Sequence, residues 1–144
     1  ELGYAFLIAI ETAMRQGEIL GLTAKWVNLR ERFVHLPMTK NGTSRNVPLS
    51  KRAGELLEPL YKGKGAGDRL FRLESGSADA MFRRIRDELG IDGLTFHDTR
   101  HEAITRLARK VDVLDLARIT GHKDLKSLMI YYNATASELA QRLG

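Results

Sequence analysis

The first candidates for chemistry in this sequence are an arginine and a histidine at the start of one helix. Helical spacing in HDTRHEAITRLARK puts Arg100 on the same side as Ile104 and Leu107, toward the body of the protein, with His97 close by. A cation in the first turns of a helix opposes the helix dipole. An anion would explain the arrangement, because a helix start and an arginine fork together form a phosphate site.

Two adjacent tyrosines in TGHKDLKSLMIYYNAT are predicted to have different roles, because the hydrophobic spacing around them places them on different faces of a helix. Leu125, Leu128, Met129 and Tyr132 fall on one apolar stripe of an α-helix, which predicts that they face a core. Tyr131 lies roughly a quarter-turn off that stripe, at about 100° per residue. Tyr132 is therefore predicted to pack. Tyr131 is predicted to be the chemical group to which the rest of the protein brings an anion.

Three more polar side chains are candidates for a functional site. His122 lies in the glycine turn before the tyrosines. Arg15 ends a very apolar helix, and a buried guanidinium needs a partner. Glu18, three residues on, could be that partner, so the sequence leaves a simple ion pair open beside an anion site. Lys40 precedes a predicted turn, where a lysine is usually only a solvated charge.

The elements that must position these residues are mostly helices. Apolar periodicity and capping residues predict helices over 2–14, 19–22, 50–58 and 77–89, one around Arg100, two flanking His122, and a tail helix opened by Thr135. In the fourth of these, Met81, Phe82, Ile85 and Leu89 are expected to face inward. Strands are predicted over 26–29, 33–37 and 46–48, with an Asn-Gly hairpin turn at 41–42 before the last.

Composition narrows the function classes. The chain has 144 residues, a net charge of +5 and no cysteine. This predicts one domain without disulfides, thiolate metal sites or a thiol nucleophile, and no segment is long and apolar enough to span a membrane. The charge favours a polyanionic partner, although many basic domains bind nothing acidic. The chain starts without methionine and enters a helix at once, so we expect a piece of a longer protein.

A metal hydrolase is one alternative. His97-Asp-x-x-His101 is similar to the HExxH zinc pattern with Asp for Glu, and His122 could be a third ligand. However, the helical phase pairs His97 with Arg100, whose charge would repel a dication.

A DNA-binding module without chemistry is the other alternative, because residues 112–132 have the outline of a helix-turn-helix. Its second helix would be the reading helix. That helix offers Leu, Met, Ile and Tyr where base-reading Arg, Asn or Gln would be expected, with Lys123 and Lys126 as its basic residues.

Four sequence blocks, in order, resemble those of the tyrosine recombinases, the phage-integrase-like site-specific recombinases. The blocks are TAMRQGEILGL, TKNGTSRNVPLS, HDTRH and TGHKDLKSLMIYY, and the resemblance covers nearly the whole chain. It departs from the family at Thr99, where leucine is commoner, and at Tyr132, a second tyrosine beside the Tyr131 of the last block. The catalytic residues that the resemblance implies are Arg15, with Glu18 as its acidic neighbour, Lys40, His97, Arg100, His122 and Tyr131.

The resemblance implies an α+β fold, mainly α, with a small three-stranded antiparallel sheet. It implies that Tyr131 attacks a DNA phosphodiester to give a 3′-phosphotyrosyl link, with His97 as base and Lys40 as acid. Neither a metal nor another cofactor is implied. Type IB topoisomerases use similar chemistry and are the runner-up.

The same resemblance implies what surrounds the chain. Residues 1–144 would be the catalytic domain, without the amino-terminal core-binding domain of the family, so we expect weak DNA binding. The implied partner is double-stranded DNA, with a homotetramer on DNA at full length and a monomer as this fragment. A cytoplasmic, DNA-associated location and a bacterial or phage origin are also implied, without a membrane. The tail after Asn133 is a candidate for exchange between protomers or for folding back on its own core.

Overall fold

The computed structural model describes residues 1–37 and 43–144. Lys40 and the predicted hairpin turn lie outside these residues. In chain order the elements are α1 (Leu2–Thr12), α2 (Gln16–Leu20), a 3₁₀ helix (Ala24–Trp26), β1 (Val27–Asn28), β2 (Phe33–Leu36), β3 (Arg45–Pro48), α3 (Lys51–Tyr61), α4 (Ser75–Glu88), α5 (Asp98–Ala108), α6 (Val113–Thr120), a second 3₁₀ helix (Leu125–Tyr131) and α7 (Ala136–Leu143).

The sheet is small and antiparallel, in the order β1-β2-β3. Val34 of β2 pairs with Val47 of β3, and both side chains are fully buried, which fixes the register of the pair. Pro48 lies in the edge strand β3, where a missing backbone donor costs little. A mainly helical fold with a three-stranded antiparallel sheet confirms the predicted fold class.

The core forms two clusters that meet near the end of α1. The larger one joins α1 to the sheet, α3 and α4, with Ile8 and Ala9 at its centre and fully buried. The smaller one lies between α5, α6 and the second 3₁₀ helix, around Ile104, Leu116 and Leu128. α1 therefore supports both, because it packs against both α3 and α5.

Several predicted helix boundaries differ in the structure. α1 ends at Thr12 rather than at residue 14, and α2 covers Gln16–Leu20 rather than residues 19–22. Ser50 does cap α3, since its Oγ accepts from the Ala53 N–H at 3.1 Å, but the helix continues to Tyr61. Pro59 lies within its last turns rather than ending it. α4 begins at Ser75 instead of after Ser77, because the extended backbone that starts the helix is at Glu74.

The inward face predicted for α4 is only partly buried. Phe82 stacks on Phe6 of α1, with ring centroids 6.3 Å apart. In contrast, Ile85 and Leu89 are 44% and 68% exposed. They line an apolar groove of about 480 Å³ between α1 and α4, where side chains of the described residues do not cover them.

Residues 125–132 form the tyrosine segment, which ends in the two adjacent tyrosines. Its residues Leu125–Tyr131 form a 3₁₀ helix, so the predicted α-helical stripe is wrong. With about three residues per turn, residues i and i+3 lie in line. Leu125, Leu128 and Tyr131 therefore share one face, and Leu128 is fully buried beneath it. Met129 of the predicted stripe is 53% exposed. Tyr131 consequently lies over the smaller core cluster rather than a quarter-turn away from it.

The carboxyl-terminal helix α7 is capped as predicted, since Thr135 Oγ1 accepts from the Glu138 N–H at 3.2 Å. None of its residues is buried, and Leu139 and Leu143 are 47% and 87% exposed. Its apolar stripe therefore faces outward in this chain. Among the helices that the structure describes, none has the length and apolar character needed to cross a membrane.

Candidate active site

Arg100 is buried at the junction of three helices. It lies in the first turn of α5 and is only 4% exposed. Its Nη1 donates to the carbonyl of Ala13 at the end of α1, and its Nη2 donates to the carbonyl of Thr120 at the end of α6, at 2.8 Å. Helix carboxyl ends carry partial negative charge, so α1 and α6 offset the unfavourable dipole of α5. Two of the five guanidinium N–H groups make these bonds.

The ending of α1 brings Arg15 and Arg100 to the same place. Ala13 has φ of +60°, a left-handed conformation that turns the chain sharply after α1. Its N–H donates to Ala9 and its carbonyl accepts from Arg100. Two residues later Arg15 is extended and starts α2. Backbone strain of this kind is typical of functional sites.

Glu18 is the partner of Arg45, a residue of β3 that is not among the predicted site residues. Nη1 and Nη2 of Arg45 donate to the two carboxylate oxygens of Glu18 at 2.8 and 2.9 Å, a bidentate pair. Arg45 Nε also donates to the carbonyl of Ile119 at 3.0 Å. Arg45 thereby ties β3 to α2 and to the end of α6. The alternation of the strand could have indicated it, since Arg45 lies on the same face as the buried Val47.

Arg15 is left outside that bidentate pair. Its Nη1 lies 3.8 Å from Glu18 Oε2, beyond hydrogen-bonding distance. Among the described residues, the buried Arg15 Nη1 has no hydrogen-bond acceptor. The simple ion pair that the sequence left open is therefore not the main contact of Glu18, and one side of the Arg15 guanidinium can still take an acceptor.

His122 follows the turn that ends α6. Gly121 has φ of +81°, and a Cβ there would lie 3.1 Å from Arg45 Cδ, so both the backbone and the packing require glycine. Nδ1 of His122 is 2.6 Å from Thr120 Oγ1, whose hydroxyl donates to the Leu116 carbonyl at 3.0 Å. Nδ1 must then be the donor to Thr120, so in the neutral ring Nε2 carries the lone pair. A groove of about 430 Å³ between β3 and α6 borders this ring.

The two tyrosines use their hydroxyl groups differently. Tyr132 Oη donates to the Val111 carbonyl at 2.8 Å, so Tyr132 is a packing residue, as predicted. Burial first, and then Asp112 and Asp115, raise the pKa of Tyr132. Tyr131 Oη instead lies 3.0 Å from Nδ1 of His101. The structure therefore gives Tyr131 an ionisable partner and keeps Tyr132 a neutral phenol.

His97 lies one residue before α5, in an exposed position. Its ring meets His101 edge to face, with centroids 5.7 Å apart. Burial, then the charges of His101, Arg100 and Arg15, lower the pKa of His97. No hydrogen bond between His97 and Tyr131 is present in the described structure. His101 was noted in the sequence only as a possible metal ligand, so its contact with Tyr131 was missed.

Electrostatics link the predicted residues into one cationic cluster. Burial, then Arg15 and Arg45, lower the pKa of Arg100 to about 10. Burial, then Arg100, Arg15 and Arg45, lower the pKa of His122. The negative charge of Glu18 acts in the opposite direction and raises the pKa of Arg100. Three guanidinium groups around one carboxylate create a site that favours a further anion.

The structure thus brings Arg15, Arg100, His97 and His122 into one cluster with Tyr131 beside it, and it adds Arg45 and His101. Lys40 is outside the described residues. As for a metal, no group of three or more His, Asp or Glu side chains in the described part of the chain is arranged to hold an ion.

Comparison with known proteins gives a consistent picture. Residues 2–138 match the phage integrase family. A putative integrase/recombinase of Haemophilus influenzae is 48% identical over 140 residues, which are 96% of this chain and 46% of that protein. A shufflon-specific DNA recombinase of Escherichia coli is 39% identical over 96% of this chain and 36% of its own length. The chain therefore spans less than half the length of these relatives.

Solved structures agree with the sequence relatives. The catalytic domain of bacteriophage HP1 integrase is 26% identical with a TM-score of 0.70, covering 98% of this chain and 79% of that one. The Tn1549 transposon integrase, solved with circular intermediate DNA, has a TM-score of 0.74 at 22% identity, over 97% of this chain and 58% of that one, which supports the fold. The chain belongs to the phage integrase family and has the fold of a tyrosine recombinase catalytic domain.

Proposed function

We propose that the chain is the catalytic domain of a site-specific DNA recombinase that cuts and rejoins strands through Tyr131. The single observation that carries the proposal is the state of Arg15. Its Nη1 is buried without a hydrogen-bond acceptor among the described residues, while Arg45 occupies the carboxylate of Glu18. The Arg15 side chain is 27% exposed, so a ligand can reach the guanidinium. A guanidinium with an unbonded N–H group favours an anionic ligand, and a phosphodiester matches its forked geometry.

The cationic cluster binds the phosphate. Arg15 and the N–H groups of Arg100 that do not bond helix carbonyls donate to the non-bridging oxygens. His122 offers Nε2, which becomes a donor when the ring is protonated, and a bound phosphate favours that protonation despite the lowered pKa of His122. The result is preorganised neutralisation of the charge that resists attack by another oxygen anion.

Tyr131 is the nucleophile. Its Oη attacks phosphorus in line, the bond from phosphorus to the 5′ oxygen breaks, and the phosphate remains linked to the enzyme as a 3′-phosphotyrosine. The phenolic proton passes to a histidine of the site, for which His97 is the candidate from the sequence. Lys40 gives a proton to the leaving 5′ oxygen. The reverse step joins a new strand without another energy source, since the ester keeps the bond energy.

The whole protein is proposed to act on double-stranded DNA as a homotetramer and to need a second, DNA-clamping domain beside residues 1–144. Two observations support this. Related proteins are more than twice as long as the matched segment, and α7 presents an apolar stripe with Leu139 and Leu143 exposed. Such a helix fits exchange between protomers. Location with DNA in the cytoplasm follows from the same proposal.

Covalent capture of DNA tests the proposal. The whole protein is incubated with a pool of nicked duplexes of randomised sequence, and the adduct is mapped by mass spectrometry. We expect the modified residue to be Tyr131, and Tyr131→Phe to abolish capture while leaving DNA binding intact. Tyr132→Phe is the matched control and should still form the adduct. Capture that survives Tyr131→Phe and disappears in Tyr132→Phe would reverse the assignment.

A further inference from the structure

His101 contacts the proposed nucleophile, and none of the roles assigned above uses it. Its Nδ1 lies 3.0 Å from Tyr131 Oη. We propose that His101 is a further catalytic residue, the group that orients the Tyr131 hydroxyl and accepts its proton. This inference rests on the proposed function, because it deepens the role of the same site.

Buried neighbours fix both partners of this contact. On α5, the preceding residue Arg100 is bonded to the ends of α1 and α6, so the rotation of the helix is set and His101 emerges on its exposed side. On the second 3₁₀ helix, the fully buried Leu128 lies one turn before Tyr131 and on the same face. The hydrogen bond is therefore built by the packing of two elements.

The chemistry balances without a further reactant. Neutral imidazole with its hydrogen on Nε2 has a lone pair on Nδ1 that accepts the phenolic hydrogen. As Tyr131 Oη bonds to phosphorus, the O–H bond breaks and the proton moves to Nδ1 of His101. The bond to the 5′ oxygen breaks with its electron pair, and that oxygen takes a proton from the acid of the site. Rejoining the strand returns the proton from His101 to Tyr131.

The position of His101 suits a proton acceptor. The residue is exposed, so water can solvate the imidazolium that forms. His97, in contrast, touches the ring of His101 edge to face, and it orients that ring rather than the phenol. The two histidines of HDTRH then have separate roles, although they lie on one helical face.

The decisive kinetic test uses the whole protein and the duplex that the nicked pool selects. His101→Ala should slow covalent capture by about 10²–10³-fold, with DNA affinity unchanged within about twofold. Added imidazole should restore part of the rate in His101→Ala but not in His97→Ala. Glu102→Gln, on the neighbouring exposed residue of α5, should capture DNA at the parent rate. A His101→Ala rate within about threefold of the parent, or above it, overturns the inference.

A second measurement separates proton transfer from mere support. Replacing Tyr131 with 3,5-difluorotyrosine makes the phenol more acidic and less dependent on a base. The loss caused by His101→Ala should then shrink by about tenfold or more. If the loss of rate caused by His101→Ala is unchanged, His101 only holds the tyrosine segment in place and the inference is wrong.

A third measurement needs no DNA. Nitrogen-15 spectra of the histidine rings should show His101 with its hydrogen on Nε2, and Tyr131→Phe should shift Nδ1 of His101 more than any ring nitrogen of His97 or His122. Absence of that shift overturns the inference even where Tyr131 captures DNA. If the shift is present but the parent protein captures no DNA, the proposed function fails, and the catalytic role of His101 fails with it.

Discussion

The site has an arginine side, around Arg45 and Arg100, and a tyrosine side, which is the tyrosine segment. The two sides are stabilised by different kinds of interaction. The arginine side is held by buried charges: Arg100 is bonded to two helix ends, and Arg45 is bonded to Glu18 and to Ile119. The tyrosine side is held by one fully buried side chain, Leu128, by the partly buried rings of Tyr131 and Tyr132, and by one hydrogen bond at each of their hydroxyl groups. Its other apolar side chains are largely exposed, including Ile130 at 76%.

This difference assigns two physical tasks to two regions. Neutralising a phosphate requires charges fixed in advance, because reorganising them during the reaction would cost energy. Delivering a nucleophile, breaking a strand and rejoining another requires a segment that can leave and return. Elements with few buried contacts open at low free energy, and the tyrosine segment has that character. The arginine side is therefore the stable frame, and the tyrosine segment is the part expected to unfold locally at the lowest free energy.

Arg45→Ala should give the largest loss of stability. It removes one partner of a pair whose side chains are only 7% and 13% exposed, which leaves the Glu18 carboxylate uncompensated. We expect a loss of about 3–5 kcal/mol in the free energy of unfolding, measured by denaturant titration of the chain. Arg52→Ala is the control. Its ion pair with Glu55 is exposed, so its removal should cost at most about 1 kcal/mol.

A small effect of Arg45→Ala, similar to that of Arg52→Ala, would contradict the view that the arginine side is the frame. The expected loss should also be global, since Arg45 connects β3, α2 and α6. Hydrogen exchange should therefore quicken in all three elements together, not in one of them.

Leu128→Ala should come next and act more locally. Truncating a fully buried leucine leaves a cavity, and the exposed surroundings of this segment allow partial collapse. We expect a loss of about 2–3 kcal/mol, at the low end for such changes. Hydrogen exchange over residues 125–132 should quicken more than exchange in α1. Met129→Ala, at a half-exposed neighbour, should change stability by about 0.5 kcal/mol or less. If hydrogen exchange quickens equally in α1 and in the tyrosine segment, the two regions do not differ in local stability as argued.

The sequence predicted the position of Arg100 better than that of the tyrosine segment, for physical reasons. Arg100 was predicted to point inward because its helix has a regular period of 3.6, and it is 4% exposed. The period of the tyrosine segment was misjudged, since spacing of three and four residues suits an α-helix while the backbone forms a 3₁₀ helix. The conclusion that Tyr132 packs survived because its hydroxyl reaches Val111, a contact 21 residues away that periodicity cannot foresee.

Arg45 and His101 were missed for a related reason. Each acts through a partner distant in sequence: Glu18 lies 27 residues from Arg45, and Tyr131 lies 30 residues from His101. Local spacing reports which residues share a face but not which element that face meets. An arginine on the buried face of a strand was nevertheless a usable signal, because such a charge must be paired.

Tyr132→Phe should have a smaller effect, confined to the tyrosine segment. It removes the hydrogen bond to the Val111 carbonyl and keeps the ring, so we expect a loss of about 1 kcal/mol. Tyr61→Phe, at a more exposed ring at the end of α3, should change stability by about 0.5 kcal/mol or less. Thermal unfolding of the two variants measures the difference. If they are equally stable, the Tyr132 hydroxyl does not fasten the segment.

The smallest effect should come from the ionisation of Glu18. Burial acts to raise its pKa, whereas hydrogen bonds from Arg45 and from the Arg15 backbone, with the charges of both arginines, lower it below the ordinary value of 4.5. Because these influences partly cancel, the ionisation of Glu18 contributes only modestly to the free energy of unfolding. The unfolded chain binds more protons than the folded one in this window, so stability is complete above 4.5 and falls as the pH drops through the folded pKa. The free energy of unfolding of Glu18→Gln should depend less steeply on pH below 4.5 than that of the parent. Other carboxyl groups with a lowered pKa, such as Glu1, are present in both proteins, so their contribution cancels in the comparison. Parallel curves for the two proteins would mean that Arg45 does not depend on the charge of Glu18.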